Sequence, residues 1–270
     1  MTLHLGQRGP GHQSRVASGV ADPGGPENAE AAALFARFEA DPGPARRTLI
    51  DACIGALKTG GVWAKLDAFY MLAAHDAQAA RLNWVQDAFN LQPGGAGTLT
   101  FTPDVGCENG GTAAYLDTGF NDLTGSALWT QDAMGAGGYV NAWAGAANYF
   151  LGVFGAGNLR IGASATNINT RIHSAGSFNP ASPDALPGHV MVVRSGAASS
   201  RVLRNGTQVG AVSTAASTAG ADANVVGLRS GTAHSADRLA CLHLGGELSN
   251  TEVADLYAAI LTYLTALGAQ

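Results

Sequence analysis

Aromatic and amide side chains are the groups in this sequence best suited to ligand chemistry. Trp129, Tyr139, Asn141 and Trp143 lie at or near the start of a stretch without charge, residues 133–159. Aromatic faces stack on the C–H surfaces of sugars, and amide groups bond to hydroxyls without a net charge. The pattern predicts a carbohydrate-binding region. The alternative, that these rings fill the protein core, stays open at this point.

Basic side chains follow in the next predicted strands. Arg160, Arg171 and His173 add cationic donors, and such donors favour an acidic polysaccharide as the ligand. The candidate carbohydrate-binding set therefore includes Arg171 and His173 beside the aromatic and amide groups.

Motifs for catalysis or for a bound cofactor do not occur in the sequence in the right context. There is no H-E-x-x-H zinc motif, no G-x-S-x-G nucleophile turn and no phosphate-binding glycine loop. The three cysteines, Cys53, Cys107 and Cys241, form no C-x-x-C pair. We assign no catalytic residue, no metal site and no cofactor.

Paired carboxylates are the remaining route to catalysis, because sandwich folds include glycoside hydrolases. Those enzymes need two acids about 5–9 Å apart. Most acids of this chain lie in predicted loops, and no predicted strand carries two on one face. A capsule-depolymerising glycosidase would require loop acids to converge, and it stays as an alternative.

Charge and hydropathy exclude further classes of function. Only 13% of the 270 residues are charged, and the formal net charge is −5. A nucleic-acid-binding protein normally shows a basic surface, so we predict no nucleic-acid partner. The stretch 133–159 is long enough to cross a bilayer, but Asn141 and Asn148 interrupt it and its residues alternate as in a strand. We predict no membrane span and no signal peptide.

Two zones precede the β-rich part of the chain. Residues 1–26 are rich in glycine and proline, and we predict an extended arm that lies against a partner or a sister subunit. Residues 27–81 are predicted to form a helical docking region. Its first apolar stripe consists of Leu34, Phe35 and Phe38, and a second helix is predicted from Pro44 to Lys58. A third predicted helix carries Val62, Leu66, Phe69, Tyr70 and Leu72.

The third zone, residues 82–270, shows short apolar runs at turn-like spacing, which predicts a β-sandwich. The predicted strands are 98–102, 113–117, 127–131, 138–143, 148–154, 158–163, 170–174, 189–194, 201–204, 208–212, 224–228 and 237–244. Asn205-Gly206 predicts a type I′ hairpin turn. Ser249 with Glu252 forms a capping box, and Gly268 marks the end of a C-terminal helix that should lie against a sheet.

Three stretches of the sequence together match a pattern known from one class of proteins. The first runs from Ile50 through Gly61-Val62-Trp63-Ala64-Lys65-Leu66-Asp67 to Trp84, and the second is Tyr115-Leu116-Asp117-Thr118-Gly119-Phe120. The third joins Arg204-Asn205-Gly206 with Leu248-Ser249-Asn250-Thr251-Glu252 and Leu256-Tyr257. Together they resemble virion structural proteins of phages, prophages and gene transfer agents, and the resemblance covers residues 45–268.

The main domain of these proteins is similar to the concanavalin A-like (laminin-G-like) jelly roll. The resemblance implies a mainly β fold, with a jelly-roll sandwich preceded by a short helical region and followed by a C-terminal helix. It implies a non-enzymatic virion protein on a tail tip, fibre or head surface, assembled in the host cytoplasm.

In that interpretation the N-terminal arm binds other virion proteins, the sandwich binds host surface polysaccharide, and the chain forms a homo-oligomer. A purely structural decoration or adaptor protein, which binds only other virion subunits, stays open.

Overall fold

A computed structural model describes residues 27–145, 148–154, 158–182 and 186–270 of this chain. The predicted arm, residues 1–26, lies outside the described residues.

One face of the molecule is built on an eight-stranded antiparallel sheet. Numbered along the chain, its strands are β1 (Leu66–Met71), β3 (Thr100–Thr102), β4 (Gly106–Glu108), β6 (Ala133–Ala142), β10 (Gly188–Gly196), β11 (Ser199–Arg204), β12 (Thr207–Ser213) and β16 (Arg238–Gly245). The order across the sheet is β12-β11-β10-β6-β16-β4-β3, and β1 also pairs with β16.

A second, six-stranded sheet packs against the first. Its strands are β2 (Gln92–Gly94), β5 (Tyr115–Asn121), β7 (Asn148–Val153), β8 (Leu159–Ala163), β9 (Ile168–Ile172) and β13 (Asn224–Gly227), in the order β2-β5-β13-β7-β8-β9. A short hairpin, β14 (Arg229–Ser230) with β15 (Ala233–His234), contacts β7.

The helices are α1 (Ala29–Phe35), α2 (Pro44–Thr59) and α3 (Asn250–Leu267), with 3₁₀ turns at Trp63–Lys65 and Ala79–Arg81. One apolar cluster joins the facing sides of the two sheets, and a second joins all three helices to the other side of the eight-stranded sheet. The molecule therefore has three layers: helices, eight-stranded sheet and six-stranded sheet. The predicted fold class is confirmed, a mainly β jelly-roll sandwich with short N-terminal helices and a C-terminal helix.

The third helix predicted within 27–81 is wrong, because residues 66–71 form β1. Along this segment alternate side chains serve the two cores: Tyr70 and Leu72 lie between the sheets, while Phe69 and Met71 face the helices. A strand that is buried on both faces reads as a continuous apolar run, which periodicity alone does not distinguish from a buried helix. Part of the predicted docking region is thus built into the sheet.

The predicted strand 127–131 is also wrong, because these residues form a loop. The hydroxyl oxygen of Ser126 accepts hydrogen bonds from the backbone N–H groups of Leu128 and Trp129 at 3.0 and 3.1 Å. These local bonds replace a strand ladder. Every other predicted strand overlaps an observed one.

The turn and cap predictions are confirmed. Asn205 and Gly206 both have positive φ (48° and 78°) and connect the paired residues Arg204 and Thr207, as a type I′ hairpin requires. In α3 the Ser249 hydroxyl accepts the N–H of Glu252 and the Glu252 carboxylate accepts the N–H of Ser249, and Gly268 ends the helix in the left-handed region.

Candidate functional site

The predicted sugar-binding residues do not share one surface. Trp129 is 3% exposed and its ring lies in the core between the sheets, where it packs edge-on against Phe120. Its indole N–H donates to the carbonyl of Asp122 at 3.0 Å. A buried ring with a satisfied N–H offers no face to a sugar, so in this structure Trp129 is a core residue.

Tyr139 and Asn141 lie on the side of β6 that faces the helices. Tyr139 is 6% exposed and belongs to the core under α3. The Asn141 amide donates to the carbonyls of Val105 and Ala269 and accepts from Arg238. Both residues fasten the helix layer to the sheet. Trp143, just beyond β6, is half-buried and packs against the inter-sheet core.

His173 is buried as well, at 1% exposed. Its Nε2 lies 2.8 Å from Oδ1 of Asp122, and the other carboxylate oxygen accepts the N–H of Ala221 at 2.7 Å. His173 adopts a φ of 42°, which turns the chain out of β9 at this point. The His173–Asp122 pair connects two loops inside the molecule, and a ligand on the surface cannot reach it.

The predicted docking stripe is also inside the molecule. Leu34 and Phe35 are 1% and 7% exposed, and both pack in the core shared with α2. Phe38 is partly buried, with its ring 5.0 Å from the ring of His75. These three side chains hold α1 in place and do not present a docking surface in this structure.

Arg171 is the predicted site residue that lies on an outer surface. It points away from the core on β9, directly opposite Arg160 on β8. The guanidinium carbon of Arg160 lies 4.9 Å from the ring centre of Tyr149 on β7, in cation–π contact. We call the outward side of the six-stranded sheet the open face; its polar and aromatic residues include Tyr115, Asp117, Tyr149, Phe154, Arg160, Asn169 and Arg171.

A second aromatic and cationic cluster lies on the open face and was not predicted. The guanidinium carbon of Arg229 lies 4.8 Å from the ring centre of Tyr115 and 4.2 Å from that of Phe154. Phe154 is 43% exposed. The cluster joins β5, the end of β7 and the β14–β15 hairpin, which lie far apart in the sequence, so no local pattern could have indicated it.

The two clusters are separated by five residues along β7, from Tyr149 to Phe154. At 3.3 Å per strand residue this is about 16 Å. The eight-stranded sheet has its outward side covered by helices, whereas the described residues place the small β14–β15 hairpin on the open face, at Gly152. The open face therefore combines rings and guanidinium groups on a sheet surface that no described helix covers.

The buried carboxyl groups of Asp67 and Asp237 accept hydrogen bonds from neighbouring serines. The Ser126 hydroxyl donates to Asp67 at 2.7 Å, and the Ser235 hydroxyl donates to Asp237 at 2.6 Å. Burial raises the pKa of both carboxyls. Within the described ranges no group of three or more His, Cys, Asp or Glu side chains is arranged to hold a metal ion. None of the helices of the described part is long and apolar enough to cross a membrane.

A buried histidine pair lies beneath α3. The Nε2 atoms of His189 and His243 are 2.8 Å apart, both residues are fully buried, and the ring of Tyr257 stacks on His189. Burial lowers the pKa of His189 to about 3, and burial together with His189 lowers the pKa of His243. Both imidazoles are therefore neutral near pH 7.

Comparison with known proteins yields structural neighbours alone. No family model matches the chain, and no curated protein matches its sequence. A structure of botulinum neurotoxin type C superposes with a TM-score of 0.52 at 9% identity, covering 75% of this chain and 53% of the toxin chain. Trypanosoma rangeli sialidase with 2,3-difluorosialic acid gives 0.47 at 12% identity, covering 79% of this chain and 39% of the sialidase.

A third neighbour is domain 4 of a GH43 extracellular arabinanase from Geobacillus stearothermophilus, in complex with arabinotriose. It gives a TM-score of 0.45 at 14% identity and covers 71% of this chain and 98% of that domain. This chain thus spans about two fifths of the sialidase chain and about half of the toxin chain in those structures. What the toxin likeness shows is a shared β-sandwich fold.

Proposed function

We propose that this chain is a non-enzymatic carbohydrate-binding protein whose ligand lies across the open face of the six-stranded sheet. The observation that carries the proposal is the pair of ring and guanidinium clusters on that face, Tyr149 with Arg160 and Tyr115 with Phe154 and Arg229. Rings supply stacking surfaces for sugars, and the guanidinium groups supply donors for their oxygens. The toxin with the same fold is described as depending on two ganglioside molecules for its passage into cells, which is the same class of ligand.

The test is a glycan array probed with the whole chain and two variants. Tyr149→Ala and Phe154→Ala each remove one ring from the open face, and we expect each to weaken binding about tenfold or more. The matched control is Val212→Ala, which removes a 45% exposed apolar side chain from β12 in the other sheet. Binding that survives both ring variants unchanged, or that is lost in Val212→Ala, would refute the proposal.

We also propose, on the resemblance of residues 45–268, that the chain is a virion protein of a phage or gene transfer agent. In this proposal residues 1–26 bind other virion proteins, the particle is assembled in the host cytoplasm, and the chain forms a homo-oligomer. Deletion of residues 1–26 should abolish incorporation into particles and leave the sandwich folded. A deletion to residue 40 is unsuitable, because it removes the buried Leu34 and Phe35. Normal incorporation of the 1–26 deletion would contradict the proposal.

A decoration or adaptor protein is the second candidate. Leu123 and Leu128 are 48% and 40% exposed, and such side chains suit contact with another protein. Leu123→Ser with Leu128→Ser should then prevent incorporation into particles while polysaccharide binding is retained. The converse result, normal incorporation with lost glycan binding in the ring variants, would favour the first candidate.

A further inference from the structure

Two arginines face each other across neighbouring strands of the open face. Arg160 and Arg171 are direct cross-strand partners in the antiparallel pair β8–β9, and both side chains are half-buried. Side chains at directly opposite positions lie about 5 Å apart at Cβ, and like charges there destabilise the pair. The fold therefore holds two positive charges together at a free-energy cost.

Neither guanidinium is neutralised within the described residues. None of the ion pairs formed there includes Arg160 or Arg171. Arg160 bonds to the Ser177 hydroxyl, and the Nε atoms of both arginines are buried without a hydrogen-bond partner in the described part of the chain. The described residues therefore leave both positive charges without a neighbouring negative charge. An anion bound between the outer ends of the two guanidinium groups would offset the repulsion between them.

The neighbours of the pair suit a sugar that carries the anion. The Tyr149 ring lies beside Arg160 on one side, and Asn169 lies two residues from Arg171 on the outward side of β9. Asp117, the acid on the open face, lies on β5, three strands away from β8. At 4.8 Å per strand this is about 14 Å, too far for an ion pair with Arg160.

We infer that the ligand of the open face is an anionic polysaccharide, whose carboxylate or sulfate groups are bound between Arg160 and Arg171. The planar guanidinium fork matches a carboxylate with two parallel hydrogen bonds, and the adjacent ring and amide contact the sugar that bears it. This inference rests on the proposed carbohydrate-binding function and names the chemical class of its ligand.

The experiment is titration calorimetry of the full chain with alginate, chondroitin sulfate and dextran, at low and at physiological salt. We expect the two anionic polymers to bind and the neutral dextran to bind at least tenfold more weakly. The double variant Arg160→Gln with Arg171→Gln should weaken alginate binding about a hundredfold, since each of the two guanidinium groups that it removes accounts for about tenfold. The dependence of binding on salt should fall at the same time.

Two controls separate geometry from net charge. The double variant Arg47→Gln with Lys58→Gln removes the same charge from α2, in the helix layer, and should change alginate binding less than twofold. The double variant Arg160→Lys with Arg171→Lys keeps both positive charges but lacks the planar guanidinium groups, and it should bind alginate with intermediate affinity. Thermal unfolding of the glutamine variant should occur at the same or a higher temperature, since a like-charge contact is removed.

The outcomes distinguish the inference from the function beneath it. Binding of dextran that is as strong as alginate binding and unaffected by the glutamine variant would overturn the inference and leave the carbohydrate-binding proposal standing. Equal binding of single-stranded DNA at matched charge would overturn the inference, because it would show unspecific attraction of polyanions. Absence of binding by all three polysaccharides would overturn both.

Discussion

Acidification should destabilise this protein through its buried histidine pair. His189 and His243 reach toward each other across the intervening strand β6, and their Nε2 atoms meet at 2.8 Å. Both Nδ1 atoms lack a hydrogen-bond partner within the described residues. A proton added to either ring would therefore place a charge in a buried site where no described carboxylate bonds to it.

The magnitude follows from the difference between folded and unfolded states. The pKa of His189 is about 3 in the folded protein and 6.5 in an ordinary environment. The unfolded chain thus binds more protons between these values, and the free energy of unfolding falls as the pH drops below about 6.5. From pH 8 to pH 5 the loss is about 2 kcal/mol for His189 alone. His243, whose pKa is lowered in the same direction, adds to the loss.

Urea unfolding followed by circular dichroism at pH 5, 6, 7 and 8 measures this loss, with extrapolation to water at each pH. The original chain should lose about 2 kcal/mol or more of unfolding free energy between pH 8 and pH 5 beyond any loss in the double variant His189→Leu with His243→Leu, which lacks both imidazoles. Tyr257→Phe is the matched control, because it keeps both imidazoles and the stacked ring, and it should retain the original pH dependence. An equal decline of stability with falling pH in the original chain and the double leucine variant would show that the histidine pair is not the source of the acid sensitivity.

Substitutions at three further positions test the packing, the turn and the cap that hold these elements in place. Gly137→Ala should lower the free energy of unfolding by about 2 kcal/mol in urea titrations. The added Cβ would lie 2.8 Å from the His243 ring and 2.5 Å from the Val190 carbonyl oxygen, so an unchanged urea midpoint would contradict this packing. Gly206→Ala should lower the free energy of unfolding by about 1–2 kcal/mol, since φ is +78° at this position and the chain passes close to α3. An unchanged unfolding temperature would contradict the type I′ turn. Ser249→Ala should lower the free energy of unfolding, measured by calorimetry, by about 1 kcal/mol. Ser249→Asp should retain most of the original stability, because aspartate also caps a helix; a loss as large as that of Ser249→Ala would argue against the cap.

The parts of the fold that depend on local chemistry could be predicted from the sequence. The Asn205-Gly206 turn needs two positive φ values, and few other residues supply them at low cost. The cap of α3 needs a hydroxyl and a carboxylate at fixed spacing, and both are present in Ser249 and Glu252. Such signals act within a few residues and do not depend on what packs against them.

The parts that depend on partners distant in the sequence could not be predicted. The apolar run of β1 predicts a helix because both faces of the strand are buried, which removes the alternation that marks a strand. Tyr139 and Asn141 do share one side of β6, as their spacing indicates, but that side is covered by α3. Alternation shows which residues share a face and does not show which face is open.

The open face itself depends on topology. Tyr115 and Phe154 lie on β5 and at the end of β7, strands that meet only through β13 between them. The sequence shows Arg160 as a source of positive charge, but its direct pairing with Arg171 requires the register of β8 on β9. The residue types are visible in the sequence, and the sheet order brings them together.

A crystal structure of the full chain with a bound acidic oligosaccharide would show where the ligand lies. We expect the sugar over β7, β8 and β9, stacked on Tyr149, with an anionic group about 2.8 Å from guanidinium nitrogens of Arg160 and Arg171. A sugar bound in the loops at the edge of the sandwich or on the helix layer, with the open face empty, would contradict this placement.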